Sequence, residues 1–220
     1  MKTIRVHITK QELPVGKILC LGRNYAEHAK EMSSEVPTTP VVFLKPPSAL
    51  IQDGDPIVLS SISNDIHHEV ELVVAIGKGG KSIPAARALD HVLGYGIGLD
   101  MTMRDVQHEA KKRGLPWSVA KGFDTSAPVS EIIPRKEIGN VQDLTIRCAV
   151  NGTVRQQSST SEMIFPVDKI IEYVSSIFTL ERGDLIFTGT PAGVGSVKSG
   201  DVVEAELVGY TKISHRVISD

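Results

Sequence analysis

The sequence predicts an α+β fold with a large mixed sheet, because short β-rich runs outnumber helical segments and do not alternate regularly with them. Runs of β-branched and other apolar residues bounded by Gly, Pro or Asn are typical of strands. Eight such runs are found, at 18–21, 41–44, 56–59, 70–76, 92–99, 144–150, 185–188 and 202–207. Since no helices of crossover length separate them regularly, a doubly wound parallel sheet is a poor fit.

Three segments are predicted to be helical. The clearest is 166–178, where apolar residues form one stripe and the opening proline suits a first turn. A second is 103–113, with Thr102 as its N-cap. A third, 25–32 with Asn24 as its cap, is barely two turns long and suits a mobile lid.

The length and composition are those of one globular domain, 1–220, although the polar stretch 134–143 is the weakest point for a boundary. The net charge is −2 without long runs of one sign, so a nucleic-acid partner is not expected. Cys20 and Cys148 lie far apart in apolar runs, which favours two buried free thiols over a disulfide.

No stretch approaches the roughly 20 uninterrupted apolar residues that a membrane helix needs. The first five residues, MKTIR, lack an apolar signal segment. We therefore expect no membrane partner and a cytoplasmic location.

Three acidic residues form a candidate metal site. Glu69 and Glu71 lie two apart at the start of an apolar strand, so both carboxylates project from one face. Asp100 ends another apolar strand. Like charges beside an apolar run repel unless a cation joins them, and oxygen ligands suit Mg2+ or Mn2+. The alternative is a solvated sheet edge, with Asp100 capping the next helix. His67 falls on the same face, as a ligand or as a group that orients one.

Further polar residues accompany this set. His28 and Glu31 lie three apart, so a helix would place them on one face as a general base and its orienting carboxylate; a surface pair is the alternative. Lys121 follows the strand-like 117–120, where a cation would stabilise an enolate or oxyanion. It could equally be a surface lysine whose stem covers apolar atoms. A stripe of Arg104, Gln107 and Lys111 either reaches the same cavity or faces solvent.

Two glycine-rich segments differ in what they predict. In 183–195, a strand runs into a loop whose backbone N–H groups and Thr190 hydroxyl suit a substrate carboxylate, unless the loop is only a tight turn. The segment 77–82 ends like a phosphate loop, but the first glycine of that motif is missing and Pro84 follows. We interpret it as a basic hairpin turn.

Six segments resemble the fumarylacetoacetate hydrolase superfamily in residues, order and spacing: LGRNYAEHAKEM, VVFLKPPSAL, HHEVELVVAIGKG, GYGIGLDMTMRDVQ, GLPWSVAKGFD and GDLIFTGTPAGVG. The resemblance spans about 18–217. It is strongest to the short, single-domain branch of acylpyruvases and oxaloacetate decarboxylases or tautomerases. It implies a mixed β-roll of the fumarylacetoacetate hydrolase C-terminal type with a few short helices, usually assembled as a homodimer.

The resemblance also implies roles for particular positions. Metal carboxylates fall on Glu69, Glu71 and Asp100, which gives His67 a neutral or supporting role. The catalytic positions are His28, Glu31 and Lys121, and the substrate-binding positions are Arg23, Arg104, Gln107 and Thr190.

The implied activity is that of a Mg2+- or Mn2+-dependent enzyme acting on small 2-oxo or 1,3-dioxo acids through a metal-stabilised enolate. Acylpyruvate C–C hydrolysis and oxaloacetate decarboxylation or tautomerisation are the expected reactions. Decarboxylation or isomerisation of longer oxo-dienoates in aromatic catabolism is an alternative, which cavity size would discriminate. A non-catalytic metal- or oxo-acid-binding module is another, which loss of the His28–Glu31 pair or of Lys121 would favour; all three residues are present.

Overall fold

The computed structural model describes residues 2–220 and is a mixed α+β structure dominated by sheets. The strands are β1 (Thr3–Arg5), β2 (Glu12–Pro14), β3 (Ile18–Gly22), β4 (Val41–Lys45), β5 (Leu50–Ile51), β6 (Ile57–Leu59), β7 (Ile66–His68), β8 (Val70–Ile76), β9 (Val92–Leu99), β10 (Thr102–Met103), β11 (Ala127–Pro128), β12 (Ile133–Pro134), β13 (Thr145–Val150), β14 (Thr153–Ser159), β15 (Leu185–Phe187), β16 (Gly195–Ser196), β17 (Val202–Leu207) and β18 (Thr211–Ser219).

The α-helices are α1 (Ala26–Glu31), α2 (Ala85–Ala88), α3 (Arg104–Lys112), α4 (Ser118–Lys121) and α5 (Val167–Ile177). Short 3-10 turns cover Pro47–Ala49, Leu89–His91, Arg135–Glu137 and Thr160–Glu162. The predicted α+β class is confirmed, and so is the helix predicted at 166–178, which is one residue shorter at each end.

A six-stranded sheet in the order β12-β9-β8-β15-β3-β4 forms the centre of the molecule. It is mixed, because β15 pairs in parallel with β3 while the other four pairs of neighbouring strands are antiparallel. Every residue of β8 is buried, and alternate residues enter two different cores, as Leu72 and Val73 do. A sheet covered on both faces explains why this strand is a continuous apolar run instead of an alternating one.

The second large sheet has the order β14-β13-β17-β18-β6 and packs on one face of the first, together with α5. Its β13–β14 hairpin turns through Asn151 and Gly152, both with positive φ (51° and 76°), a conformation that Asn and Gly adopt readily in tight hairpin turns. The opposite face of the central sheet is covered by the N-terminal strands and by residues around Leu50 and Val129.

Three local predictions were wrong. Thr102 lies in a strand and bonds the carbonyl of Asp100, so it does not cap α3. Asn24 does not cap α1, since its amide bonds the carbonyls of Phe165 and Thr188. The strand-like residues before Lys121 form the short helix α4.

Two further predictions concern segments away from the sheet centre. The segment 77–82 is not a hairpin turn, because a loop and α2 follow it before β9 begins. The thiols of Cys20 and Cys148 are free and buried, as predicted. None of the helices within residues 2–220 has the length and apolar character needed to cross a membrane.

Candidate metal centre

Three buried carboxylates meet where β8 and β9 lie side by side. Glu69 precedes β8 and Glu71 lies within it, while Asp100 follows β9 directly. The antiparallel register pairs Val70 with Leu99, and the Asp100 N–H donates to the Glu69 carbonyl at 2.8 Å. One carboxylate oxygen of each acidic residue lies within 4.8 Å of the other two. All three side chains are buried, so the solvated sheet edge is excluded.

A glycine makes room for this arrangement on β9. Gly98 lies opposite Glu71 in the register. A Cβ atom there would lie 2.7 Å from a Val73 methyl carbon and 2.8 Å from the Phe187 ring. Because such distances are far shorter than van der Waals contact, any side chain at this position would push the strand carrying Glu71 aside.

Three cationic side chains contact two of the carboxylates. Nζ of Lys121 lies 2.7 Å from Oε2 of Glu69 and 2.6 Å from Oδ2 of Asp100. Arg104 pairs with the second oxygen of Glu69, and Nζ of Lys45 lies 2.7 Å from Oδ1 of Asp100. Lys121 is only 3% exposed, which excludes a surface lysine.

Glu71 pairs with no cationic side chain of residues 2–220, and the pKa of its carboxyl is raised. Burial raises the pKa of this carboxyl well above its usual range, and the neighbouring charges of Asp100 and Glu69 raise it further. Within residues 2–220, its one bonded donor is the backbone N–H of Gly189, at 2.6 Å. Burial acts on Glu69 in the same direction, but the charges of Lys121 and Arg104 outweigh it and hold the pKa of Glu69 well below its usual range.

This donor set fits a hard divalent cation. Three carboxylate oxygens converge without a thiolate or an imidazole among them, which suits Mg2+ or Mn2+ better than zinc. Among residues 2–220, no cationic side chain forms an ion pair with Glu71. A doubly charged ion would balance that carboxylate. His67 is outside the cluster, because its Nε2 lies 2.9 Å from Oδ1 of Asp65.

The predicted dyad forms on α1 at the edge of the same cleft. Nδ1 of His28 lies 3.0 Å from Oε2 of Glu31, and the carboxylate can only accept, so Nδ1 donates. The other oxygen of Glu31 accepts the N–H of Gly193 at 3.0 Å. His28 is 5% exposed whereas Glu31 is exposed, so the imidazole is buried in the cleft wall and its carboxylate partner reaches the surface.

The glycine-rich loop behaves differently from the prediction that its N–H groups face a substrate carboxylate. The N–H of Gly189 donates to Glu71 and that of Gly193 donates to Glu31. These two N–H groups hold the protein's own carboxylates in place. Thr190, between them, does line the cleft.

The cleft has a cavity volume of about 30 Å3, which is far below the range for small-molecule sites. The predicted residues on its wall are His28, Glu69, Glu71 and Lys121, with Arg23, Arg104, Gln107 and Thr190. Asp100 lies below it, behind Lys121. Gln107 acts on Arg104, since its Oε1 accepts from the guanidinium at 2.8 Å.

Lys45 is a site residue that the sequence analysis did not assign. It ends the apolar strand β4 directly before two prolines and is 1% exposed. Besides Asp100, its Nζ contacts the Lys121 carbonyl and donates to Oγ of Ser126 at 3.1 Å. A lysine that ends an apolar strand was the available signal, the same kind of signal that drew attention to Lys121.

Comparison with known protein families shows the family to which this chain belongs. The model of the fumarylacetoacetate (FAA) hydrolase C-terminal family matches residues 17–218. The chain belongs to the fumarylacetoacetate hydrolase family.

Two relatives in the family act on oxaloacetate by name. Mouse (Mus musculus) mitochondrial oxaloacetate tautomerase FAHD1 is 50% identical over 200 residues, which cover 91% of this chain and 90% of the relative.

A second relative, the mitochondrial oxaloacetate decarboxylase of Dictyostelium discoideum, is 50% identical over 194 residues, covering 88% of this chain and 89% of the relative. Among solved structures of the family, fumarylpyruvate hydrolase from Pseudomonas aeruginosa in complex with Mn2+ and pyruvate superposes with a TM-score of 0.94. The two proteins are 39% identical, and the match covers 99% of this chain and 96% of the other.

Proposed function

We propose that this protein is a Mg2+- or Mn2+-dependent enzyme that acts on small 2-oxo acids, with oxaloacetate as substrate and keto–enol tautomerisation as the leading reaction. The convergence of Glu69, Glu71 and Asp100 beside a cationic lysine, with both glutamates on the wall of the cleft and Asp100 below it, carries the proposal. The names of the oxaloacetate-acting relatives and the Mn2+–pyruvate complex of the structural neighbour support it.

The three carboxylates are the proposed ligands of the ion. When bound, a divalent cation acts as a Lewis acid that polarises the oxygens of a 2-oxo acid. Gly189 holds Glu71 and Lys45 holds Asp100, so both carboxylates are oriented before an ion arrives. Such pre-orientation lowers the cost of assembling the site.

The dyad is the proposed proton carrier. Because Nδ1 of His28 donates to Glu31, the unprotonated nitrogen of the neutral imidazole is Nε2, which is able to take a proton. In tautomerisation, Nε2 exchanges the proton at the methylene carbon of the substrate. Lys121, whose pKa is raised because Asp100 and Glu69 outweigh the effect of burial, stays charged and stabilises the negative oxygen.

Two cations on the cleft wall support a dicarboxylic substrate. Arg23 and Lys111 line the cleft, and neither forms an ion pair with a carboxylate of residues 2–220. Nε of Arg23 is buried and has no hydrogen-bond partner in the described part of the chain, and the Arg23 backbone has a φ of 61°, a strained value for a non-glycine residue. We propose that these two side chains bind the carboxylate remote from the oxo group.

This placement also favours tautomerisation over decarboxylation. Loss of CO2 from oxaloacetate removes the negative charge of the remote carboxylate. Cations that bind this carboxylate stabilise the ground state more than the transition state, which slows that reaction. Tautomerisation leaves both carboxylates intact and therefore does not lose these contacts.

Hydrolysis of acylpyruvates is the second candidate, since the structural neighbour hydrolyses fumarylpyruvate by name. It needs a water at the distal carbonyl, which His28 and Glu31 would activate. Decarboxylation or isomerisation of longer oxo-dienoates is the third candidate. The cavity volume does not separate it from the other two, because about 30 Å3 is below the range for small-molecule sites of any kind.

A substrate panel tests the proposal. Protein stripped with EDTA is given oxaloacetate, acetylpyruvate and fumarylpyruvate, before and after Mg2+ or Mn2+ is returned, and tautomerisation is followed by the ultraviolet absorbance of the enol. We expect metal-dependent turnover, fastest with oxaloacetate. Activity indifferent to metal would refute the proposal. His28→Ala should abolish tautomerisation and hydrolysis but spare decarboxylation, whereas equal loss of all three would give the dyad a purely structural role.

Three organisational proposals accompany this function. We propose that 1–220 acts as one catalytic domain and assembles as a homodimer, which light scattering of the purified protein tests. A cytoplasmic location stays a prediction for cell fractionation, because the names of the two oxaloacetate-acting relatives place those proteins in mitochondria.

A further inference from the structure

The strand β14 carries one fully buried side chain, and it is a glutamine. Gln156 is 1% exposed, while both of its neighbours in the chain, Arg155 and Gln157, are exposed. A buried amide must find hydrogen-bond partners in the protein. Gln156 has four, and they belong to the two segments that build the candidate metal centre.

Two of these partners fix which way the amide points. Oε1 accepts the backbone N–H of Val70 at 3.1 Å, and Nε2 donates to the carbonyl of Pro191 at 2.8 Å. A backbone N–H only donates and a carbonyl only accepts, so flipping the amide would break both bonds. Nδ1 of His68 lies 2.9 Å from the same Oε1 and is a further donor to it.

The fixed amide determines the role of the Thr190 hydroxyl. The second N–H of Nε2 donates to Oγ1 of Thr190 at 2.8 Å. Oγ1 therefore accepts, and its own hydrogen must point elsewhere. No acceptor within residues 2–220 takes that hydrogen, and Thr190 lines the cleft beside Glu71 and Lys121. The hydroxyl is thus a buried donor that lacks a partner among these described residues.

Close packing prevents this arrangement from relaxing. The loop after Thr190 lies directly on β14 at Gly193, where a Cβ atom would lie 2.2 Å from the Arg155 carbonyl oxygen and 3.3 Å from Cγ of Gln156. Gly193 also has a φ of 99°, a conformation that other residues avoid. Loop and strand are therefore held at one separation, which keeps the amide within reach of both segments.

We propose that Gln156 is a positioning residue: it directs the Thr190 hydroxyl into the cleft as a hydrogen-bond donor to a carboxylate oxygen of the bound oxo acid. The inference rests on the proposed function for the identity of the ligand. Gln156 itself does not line the cleft and acts through Thr190. Its bond to Val70 holds the peptide between Glu69 and Glu71 in register with that donor.

The test measures pyruvate binding to the Mn2+-loaded protein by calorimetry, together with KM and kcat for oxaloacetate. The variants are Gln156→Met, Thr190→Val, the double variant, Thr190→Ser and, as a control on the same strand, Gln157→Met. A hydrogen bond to a charged oxygen supports a loss of affinity on the order of tenfold to a hundredfold for Gln156→Met and for Thr190→Val. The double variant should be weaker than either single one by less than about twofold, because both changes remove the same donor.

Further outcomes separate positioning from a general structural role. KM should rise while kcat changes less than about threefold, Thr190→Ser should restore affinity, and Gln157→Met should match the wild type. Independent, multiplying losses in the double variant would overturn the inference. If Gln156→Met does not fold, wild-type pyruvate affinity in Thr190→Val alone would overturn it. If the wild type does not act on oxaloacetate but binds pyruvate, and Gln156→Met and Thr190→Val lose that binding, the result would support the positioning role while refuting the proposed function.

Discussion

Replacing Glu71 by Gln is expected to stabilise the metal-free protein while removing its response to metal. Glu71 is buried with two other carboxylates, and one oxygen from each lies within 4.8 Å of the others. At an effective dielectric constant of ~20, like charges at that distance repel by about 3.5 kcal/mol. Burial and its acidic neighbours raise the pKa of the Glu71 carboxyl, so the metal-free folded protein keeps this proton to higher pH than the unfolded chain does.

The proton sets the magnitude of the effect. Keeping a carboxyl protonated at pH 7 when its usual pKa is 4.5 costs about 3 kcal/mol. Glutamine is isosteric, carries no charge and still accepts from the Gly189 N–H, so Glu71→Gln recovers most of this cost. We expect the free energy of unfolding in EDTA to rise by about 1–3 kcal/mol.

The sign of the pH dependence follows from proton binding. Because the pKa of Glu71 is raised in the folded protein, the unfolded chain releases this proton at lower pH than the folded protein does. The folded state therefore binds more protons, and stability falls as pH rises towards the folded pKa. The variant should lack this fall, so its advantage over the wild type in EDTA should grow from pH 5 to pH 8.

Urea unfolding in EDTA and in Mn2+ measures both effects. An ion at one hundred times its dissociation constant adds about 2.7 kcal/mol to the wild type, and we expect the variant to gain less than about 1 kcal/mol, because a ligand is missing. Glu137→Gln, at an exposed site, is the matched control and should behave as the wild type. A variant less stable than the wild type in EDTA, or equally stabilised by Mn2+, would refute the electrostatic account.

Three further predictions concern other charged groups. Lys45→Met leaves Asp100 without one buried cation, so urea unfolding in EDTA should show a loss of about 3–5 kcal/mol; a loss below about 1 kcal/mol would contradict this. Lys111→Met should raise KM for oxaloacetate about tenfold or more, but leave KM for acetylpyruvate, which has one carboxylate, within about twofold. Burial lowers the pKa of His215, so below pH 6.5 the unfolded chain binds more protons than the folded protein does. The free energy of unfolding should therefore fall by up to about 1.4 kcal/mol for each unit by which the pH is lowered. His215→Leu should flatten that slope, and an unchanged slope would exclude His215 as its source.

The errors in the secondary-structure predictions share a physical cause. Asn24 and Thr102 have the side chains of helix caps, but partners distant in the sequence use those side chains instead. The helix α4 has only four residues, too few for a helical period to show. Strands β8 and β17 end at the predicted residues, because continuous apolar or alternating runs carry their own boundaries.

Residue type and spacing within one strand or helix were enough to predict the α+β class, the candidate acidic trio and the dyad. The pairing of each carboxylate with its cation, in contrast, follows from the three-dimensional arrangement of the strands. Lys45 reaches Asp100 across 55 positions of the chain, and Gln156 reaches Thr190 across 34. Such pairs depend on how strands are ordered and stacked, and no local pattern encodes that order.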